Sequence, residues 1–137
     1  MGAWDTTVFG NDTACDWLAE LKESEGSGMI EEALDAVLGL GDDYVEAPVA
    51  EEGLAAAEVV AWAGGNPKPT DEAGDDLQDW IDEQDIEAEG SLQQRALRVV
   101  DRVFNEPCEL LETWQESEDF SEWRKSLADL KERLQAT

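Results

Sequence analysis

Leu54-Ala55-Ala56-Ala57-Glu58-Val59-Val60-Ala61-Trp62-Ala63 carries one charge in ten residues, in a chain whose formal net charge is -26. A segment that is apolar on every side reads as a helix buried on all faces, covered by amphipathic neighbours. The predicted helix spans residues 49–63. Pro48 stands just before it, where a missing N–H is harmless, and Gly64-Gly65-Asn66-Pro67 ends it. Glu58 is the exception inside the stretch. A carboxylate placed there has to be paired, hydrogen-bonded or protonated, because an isolated buried charge is too costly. The N-terminal segment is the partner expected from the sequence, through the Trp4 indole or the backbone amides of residues 2–9.

Working outward, the segments on both sides of this stretch have the one-faced patterning needed to cover it. Residues 2–10 are short and turn-rich, and read as an extended lead-in anchored by Trp4 and Phe9. Asn11 or Asp12 then caps a first helix, Asp12–Glu23, whose Ala14, Trp17, Leu18 and Leu21 recur at three- and four-residue spacing. A second helix, Met29–Leu40, turns Ile30, Ala33, Leu34, Val37 and Leu38 inward and stops at Gly39 and Gly41.

After residues 49–63, a Gly/Pro loop runs through an acidic segment to a fourth helix over Asp75–Gln84. Ser91 with Gln94 has the form of a capping box, opening a fifth helix with Leu92, Ala96, Val99, Val100 and Val103 on one face. Pro107 opens a sixth, and Asp119 with Glu122 caps a seventh carrying Phe120, Trp123, Leu127, Leu130 and Leu134. That last stripe is shorter than a sustained coiled-coil seam, so packing within the chain and a monomer are expected. Nothing alternates with period two. The fold class is therefore all-α: one domain over residues 1–137, with six or seven helices around the buried element.

The acid excess restricts function. There are 35 Asp plus Glu against nine Lys plus Arg. It is also lopsided: residues 1–90 hold 25 acids and two bases, a net of -23, while residues 91–137 hold ten acids and seven bases, a net of -3. Such a field repels nucleic acid and anionic membrane, and steers basic proteins or cations to the surface. Adaptation to a salty cytoplasm is the competing explanation of the same acidity. With no apolar run of spanning length and no signal-peptide pattern, a soluble cytoplasmic protein is expected.

Catalytic options are few. The chain has no histidine, so no Ser-His or Cys-His system and no imidazole ligand, and it has no glycine-rich phosphate motif. Cys15 and Cys108 stand apart from each other and read as reduced, half-buried core thiols, with no zinc or redox role. Asp71-Glu72-Ala73-Gly74-Asp75-Asp76 has the composition of a calcium loop in the wrong register. No catalytic residue, cofactor or metal is expected, although 35 acids keep a carboxylate- or metal-dependent hydrolase open as an alternative. Arg95, Arg98 and Arg102 share one side of the fifth helix and are expected to neutralise nearby carboxylates.

Three blocks carry a family resemblance. The opening Met1-Gly2-Ala3-Trp4 is followed by Phe9 and by Asn11-Asp12-x-Ala14-x-Asp16-Trp17; Tyr44-Val45-Glu46-Ala47-Pro48 leads into Leu54–Ala61; and Trp123, Leu127 and Leu130 close the pattern. Together they resemble the bacterial family catalogued as domain of unknown function 4259, with departures at Asp5 and Gly10. The resemblance implies a small bacterial protein and supplies no catalytic residues.

The leading functional reading is a non-enzymatic binding protein whose acidic surface docks a basic protein partner, in the manner of an immunity-type or antitoxin-like inhibitor. The candidate binding and signature residues are Trp4, Phe9, Asn11, Asp12, Asp16, Trp17, Asp42, Asp43, Tyr44, Glu46, Glu51 and Glu58.

Overall fold

The computed structural model describes residues 12–41, 43–65, 74–86 and 90–135, with backbone alone at 74–76. These form seven helices: α1 (Asp12–Lys22), α2 (Gly28–Leu38), α3 (Ala47–Ala63), α4 (Gly74–Gln84), α5 (Ser91–Val103), α6 (Glu109–Gln115) and α7 (Phe120–Gln135). The fold is all-α with α3 at its centre, touching each of the other six helices. The expected lead-in over residues 2–10 lies outside the described residues.

Every residue from Gly53 to Trp62 is buried, which is what an all-round apolar helix demands of its surroundings. Small side chains set how closely the neighbours approach. A Cβ added at Gly53 would stand 2.6 Å from Val37 Cγ2 on α2 and 3.2 Å from Val99 Cγ1 on α5. Glycine here is thus a packing residue, wedged between two helices. The amphipathic helices supply the rest of the core: Ala14, Trp17, Leu18 and Leu21 from α1, Ile30, Ala33, Leu34 and Val37 from α2, and the Leu92–Val103 stripe from α5. Each fully buried Val, Leu or Ile contributes about 1.5–3 kcal/mol relative to exposure.

The stripe on α7 is filled from within the chain. Trp123, Leu127, Leu130 and Leu134 are all buried, and Trp123 stacks on Phe104 and Trp114 and meets Phe120 at a tilt, with ring centroids 5.9–6.1 Å apart. Two long-range bonds hold α4 to the turn between α1 and α2. Trp80 Nε1 donates to the Ser24 carbonyl at 3.1 Å, and Gly26 N donates to Gln84 Oε1 at 2.9 Å.

Several sequence expectations need correction. α3 begins at Ala47, so Pro48 lies inside its first turn. Ser91 is the first residue of α5, with Gly90 at the cap position in the left-handed region (φ 63°). Ser91 Oγ accepts instead from Arg95 Nε at 3.2 Å, so the capping box does not form. Pro107 lies before α6, because Cys108 is still extended (φ -150°, ψ 120°) and pairs with Val45 in an isolated parallel bridge. Cys15 is exposed on α1, whose inward face is taken by Ala14, Trp17 and Leu18; Cys108 alone fits the expectation of a buried thiol.

Candidate binding face

The bridge between Val45 and Cys108 assembles the most distinctive surface of the molecule. Val45 N donates to the Pro107 carbonyl at 3.2 Å, and Glu109 N donates to the Val45 carbonyl at 2.8 Å. This pairing carries the segment ahead of α3 against the start of α6. Glu109 then turns its side chain back, accepting the backbone N–H of Ala47, the first residue of α3, at 2.8 Å. An N-terminal helix amide that has no partner in its own helix is thereby satisfied by a carboxylate 62 residues away, with favourable dipole charge.

Arg102 fastens the same two segments. Its guanidinium donates to the carbonyls of Gly41 (2.9 Å), Asp43 (2.9 Å), Asn105 (2.8 Å) and Pro107 (3.1 Å). Arginine supplies five N–H donors in a rigid fork, so one side chain can hold four carbonyls where lysine can not reproduce the geometry. Arg102 therefore serves the backbone, while Arg95 meets the sequence expectation by pairing with Glu31 at 3.0 Å and Asp35 at 3.2 Å. Arg98 is exposed.

Tyr44 stands on the fastened segment and is 47% exposed, the sole exposed large hydrophobic residue among those described. Its phenol is pushed above its ordinary pKa, first by partial desolvation, then by the negative charges of Glu112 and Glu109 and a hydrogen bond with Glu112. Asp43 and Glu46 flank it in sequence and are exposed. Glu51, in the first part of α3, is 8% exposed. Burial raises its carboxyl pKa most, and the charges of Glu109, Asp12 and Glu52 raise it further against a hydrogen bond from Thr13.

Of the candidate residues named from sequence, Asp43, Tyr44 and Glu46 are exposed on this segment, whereas Glu51 is buried in the first part of α3 with the charge of Asp12 acting on it. Trp17 is a core residue, 6% exposed, and does not belong to a surface site. Asp16 is exposed on α1, and no described contact ties it to the face. Trp4, Phe9, Asn11 and Asp42 lie outside the described residues.

Glu58 is buried, as expected, at 1% exposure. Its described partner is Arg133 of α7, which the sequence reading did not name; Arg133 Nη2 lies 2.8 Å from Glu58 Oε1, and Nη1 contacts Oε2. That pair belongs to the scaffold. Glu109 and Glu112 are the residues beside Tyr44 to which no sequence signal pointed. Their outward places on α6 follow from inward Leu110, Leu111 and Trp114, but only the bridge at Cys108 brings them to Tyr44.

Chemically, the face offers acceptors and one aromatic ring. Ionised carboxylates accept from guanidinium and ammonium groups, and a tyrosine ring adds cation–π attraction. Among the described residues no group of three or more His, Cys, Asp or Glu side chains is placed to hold a metal ion, and no helix is long and apolar enough to cross a membrane.

An acidic, all-α domain with one exposed tyrosine set among glutamates is the class that fold and face define. The chain belongs to the family described as Domain of unknown function (DUF4259), whose model matches residues 2–126. Comparison with curated proteins and with solved structures returns no match. The matched segment stops short of Leu127, Leu130, Arg133 and Leu134, which nonetheless complete the packing around α3.

Proposed function

We propose that this is a non-enzymatic binding protein whose Tyr44 face docks a basic protein partner, in the manner of an immunity- or antitoxin-like inhibitor. The observation that carries the reading is Tyr44 itself, a 47% exposed aromatic on a segment fastened by backbone pairing and by Arg102, with the charges of Glu112 and Glu109 acting on its phenol. Exposed tyrosines in prearranged surroundings are typical anchors of protein interfaces, where a few residues supply most of the affinity. The acidic rim steers a cationic partner, raising association rates by about 10- to 1,000-fold at low ionic strength.

A partner of this chemistry presents arginines or lysines, one over the Tyr44 ring and others toward Glu46, Glu109 and Glu112. A basic nuclease whose phosphate-binding surface becomes occupied fits this description, which motivates the inhibitor reading.

The test is affinity capture from source-cell extract at low salt, comparing the native protein with Tyr44→Ala combined with Glu112→Lys, and with Glu83→Lys on α4 as a control for altered charge. The expected outcome is a basic protein held by the native chain and the α4 variant, and lost from the face variant. Equal retention by all three, or recovery of no basic protein, overturns the proposal.

A further inference from the structure

A groove of about 220 Å³ opens between α5 and α7; of its lining residues, Asn105 is tied to the Tyr44 segment, through the bond from Arg102 to its carbonyl. Val100, Phe104, Leu127 and Ala128 give it an apolar lining, and its charged side chains are Asp101, Arg124 and Lys131. Lys131 holds Asp101 at 2.9 Å. Arg124 is exposed, its guanidinium carbon 6.0 Å from the centroid of the Phe104 ring, and among the described residues no carboxylate forms an ion pair with it. The lining carries two cations to one acid, in a chain of net -26.

We infer that this groove binds a small amphipathic monocarboxylate, its apolar body against Phe104 and Leu127 and its carboxylate on Arg124. Size supports the assignment. An apolar cavity of about 150 Å³ accepts benzene, so this groove has room for one ring and a short acid chain. Charge supports it as well. A guanidinium matches a carboxylate with two parallel N–H donors, and here it stands over the Phe104 ring. A neutral ligand of the same shape gains only the apolar contact. A dianion places its second charge in the field of an acidic protein.

The experiment is a titration of the full-length, nitrogen-15-labelled protein with 3-phenylpropionate, and separately with 3-phenylpropan-1-ol, followed by amide chemical shifts. The expected result is saturable shifts centred on Phe104, Leu127 and Ala128, with the acid bound at least about tenfold more tightly than the alcohol, the increment of one charge-assisted bond. Arg124→Gln, at an exposed position, removes that preference and leaves alcohol binding in place. Ala128→Phe, also at an exposed position, fills the groove and abolishes both. The inference is overturned if neither compound gives saturable shifts in the millimolar range, if the shifts centre elsewhere, or if Arg124→Gln binds the acid as the native chain does.

Discussion

Arg133, in the last turn of α7, donates both terminal nitrogens to the two carboxylate oxygens of Glu58, which lies 1% exposed in the middle of α3. Arg133 also donates its Nε to Asp129 at 2.9 Å, so its fork is fixed from two sides. Glu58 is the one interruption of the apolar stretch around which the fold is built, and it is answered from the opposite end of the chain. The pair locks α7 in register on α3, next to Leu130 and Leu134.

Removing one partner leaves the other charge buried without compensation. Glu58→Ala and Arg133→Ala are each expected to destabilise the fold by about 3–5 kcal/mol. The double substitution Glu58→Leu with Arg133→Met is expected to recover most of that loss, since an apolar pair of similar volume avoids the desolvation penalty. Urea unfolding monitored by tryptophan fluorescence measures all three. Single variants close to native stability would place the pair outside the core.

Tyr44 is the only tyrosine in the chain, so its titration can be followed by absorbance near 295 nm without assignment. Its midpoint is expected above that of the urea-unfolded protein, because partial desolvation first, and then the charges of Glu112 and Glu109, oppose formation of the phenolate. Glu112→Gln is expected to bring it down. A midpoint identical in folded and unfolded protein would show that the face is not assembled around Tyr44.

Glu51 sets a pH signature. Its folded pKa is raised, so its ionised form opposes folding; that cost is fully present above the folded value and vanishes below the unfolded one. Glu51→Gln is therefore expected to raise Tm at pH 7, with a gain that shrinks as pH falls through the carboxylate range. Glu31 has the opposite sign: Arg95 and Ser27 lower its pKa, so its stabilising effect is lost as pH falls through that lowered value. Thermal unfolding of Glu51→Gln beside the native chain from pH 7 to pH 4 checks the contrast, and a Tm difference constant across the range would contradict it.

Gly53→Ala places a methyl group against Val37 and Val99. Overpacking of this kind costs about 1–3 kcal/mol, and the better helix propensity of alanine offsets up to about 1 kcal/mol. Val37 has little room to yield, being fully buried and β-branched on a helix. Net destabilisation is expected in chemical denaturation; a stabilised variant would mean that α2 and α5 can part at little cost.

How far the sequence reaches follows from the range of the interactions involved. The seven helices and their inward faces were legible because each is set by local periodicity, and α3 because ten nearly uncharged residues in so acidic a chain can only be inside. Glu58 was legible as a problem but not in its solution, since Arg133 lies 75 residues away. The start of α6 was misplaced at Pro107 because extended pairing with Val45 holds Cys108 out of the helix. The same pairing hid Glu109 and Glu112 as partners of Tyr44. Arg102, placed by its helix face to neutralise acids, has its fork taken up instead by four backbone carbonyls that no spacing in the sequence reveals.

The proposal that Tyr44 anchors a basic partner is tested most directly by replacing Tyr44 with a photo-crosslinking phenylalanine analogue in the source cell, with the same replacement at Glu83 on α4 as control. Irradiation is expected to join position 44, and not position 83, to one basic protein, with the adduct weakened by Glu112→Lys. No adduct at position 44, or the same adducts from both positions, would contradict the account.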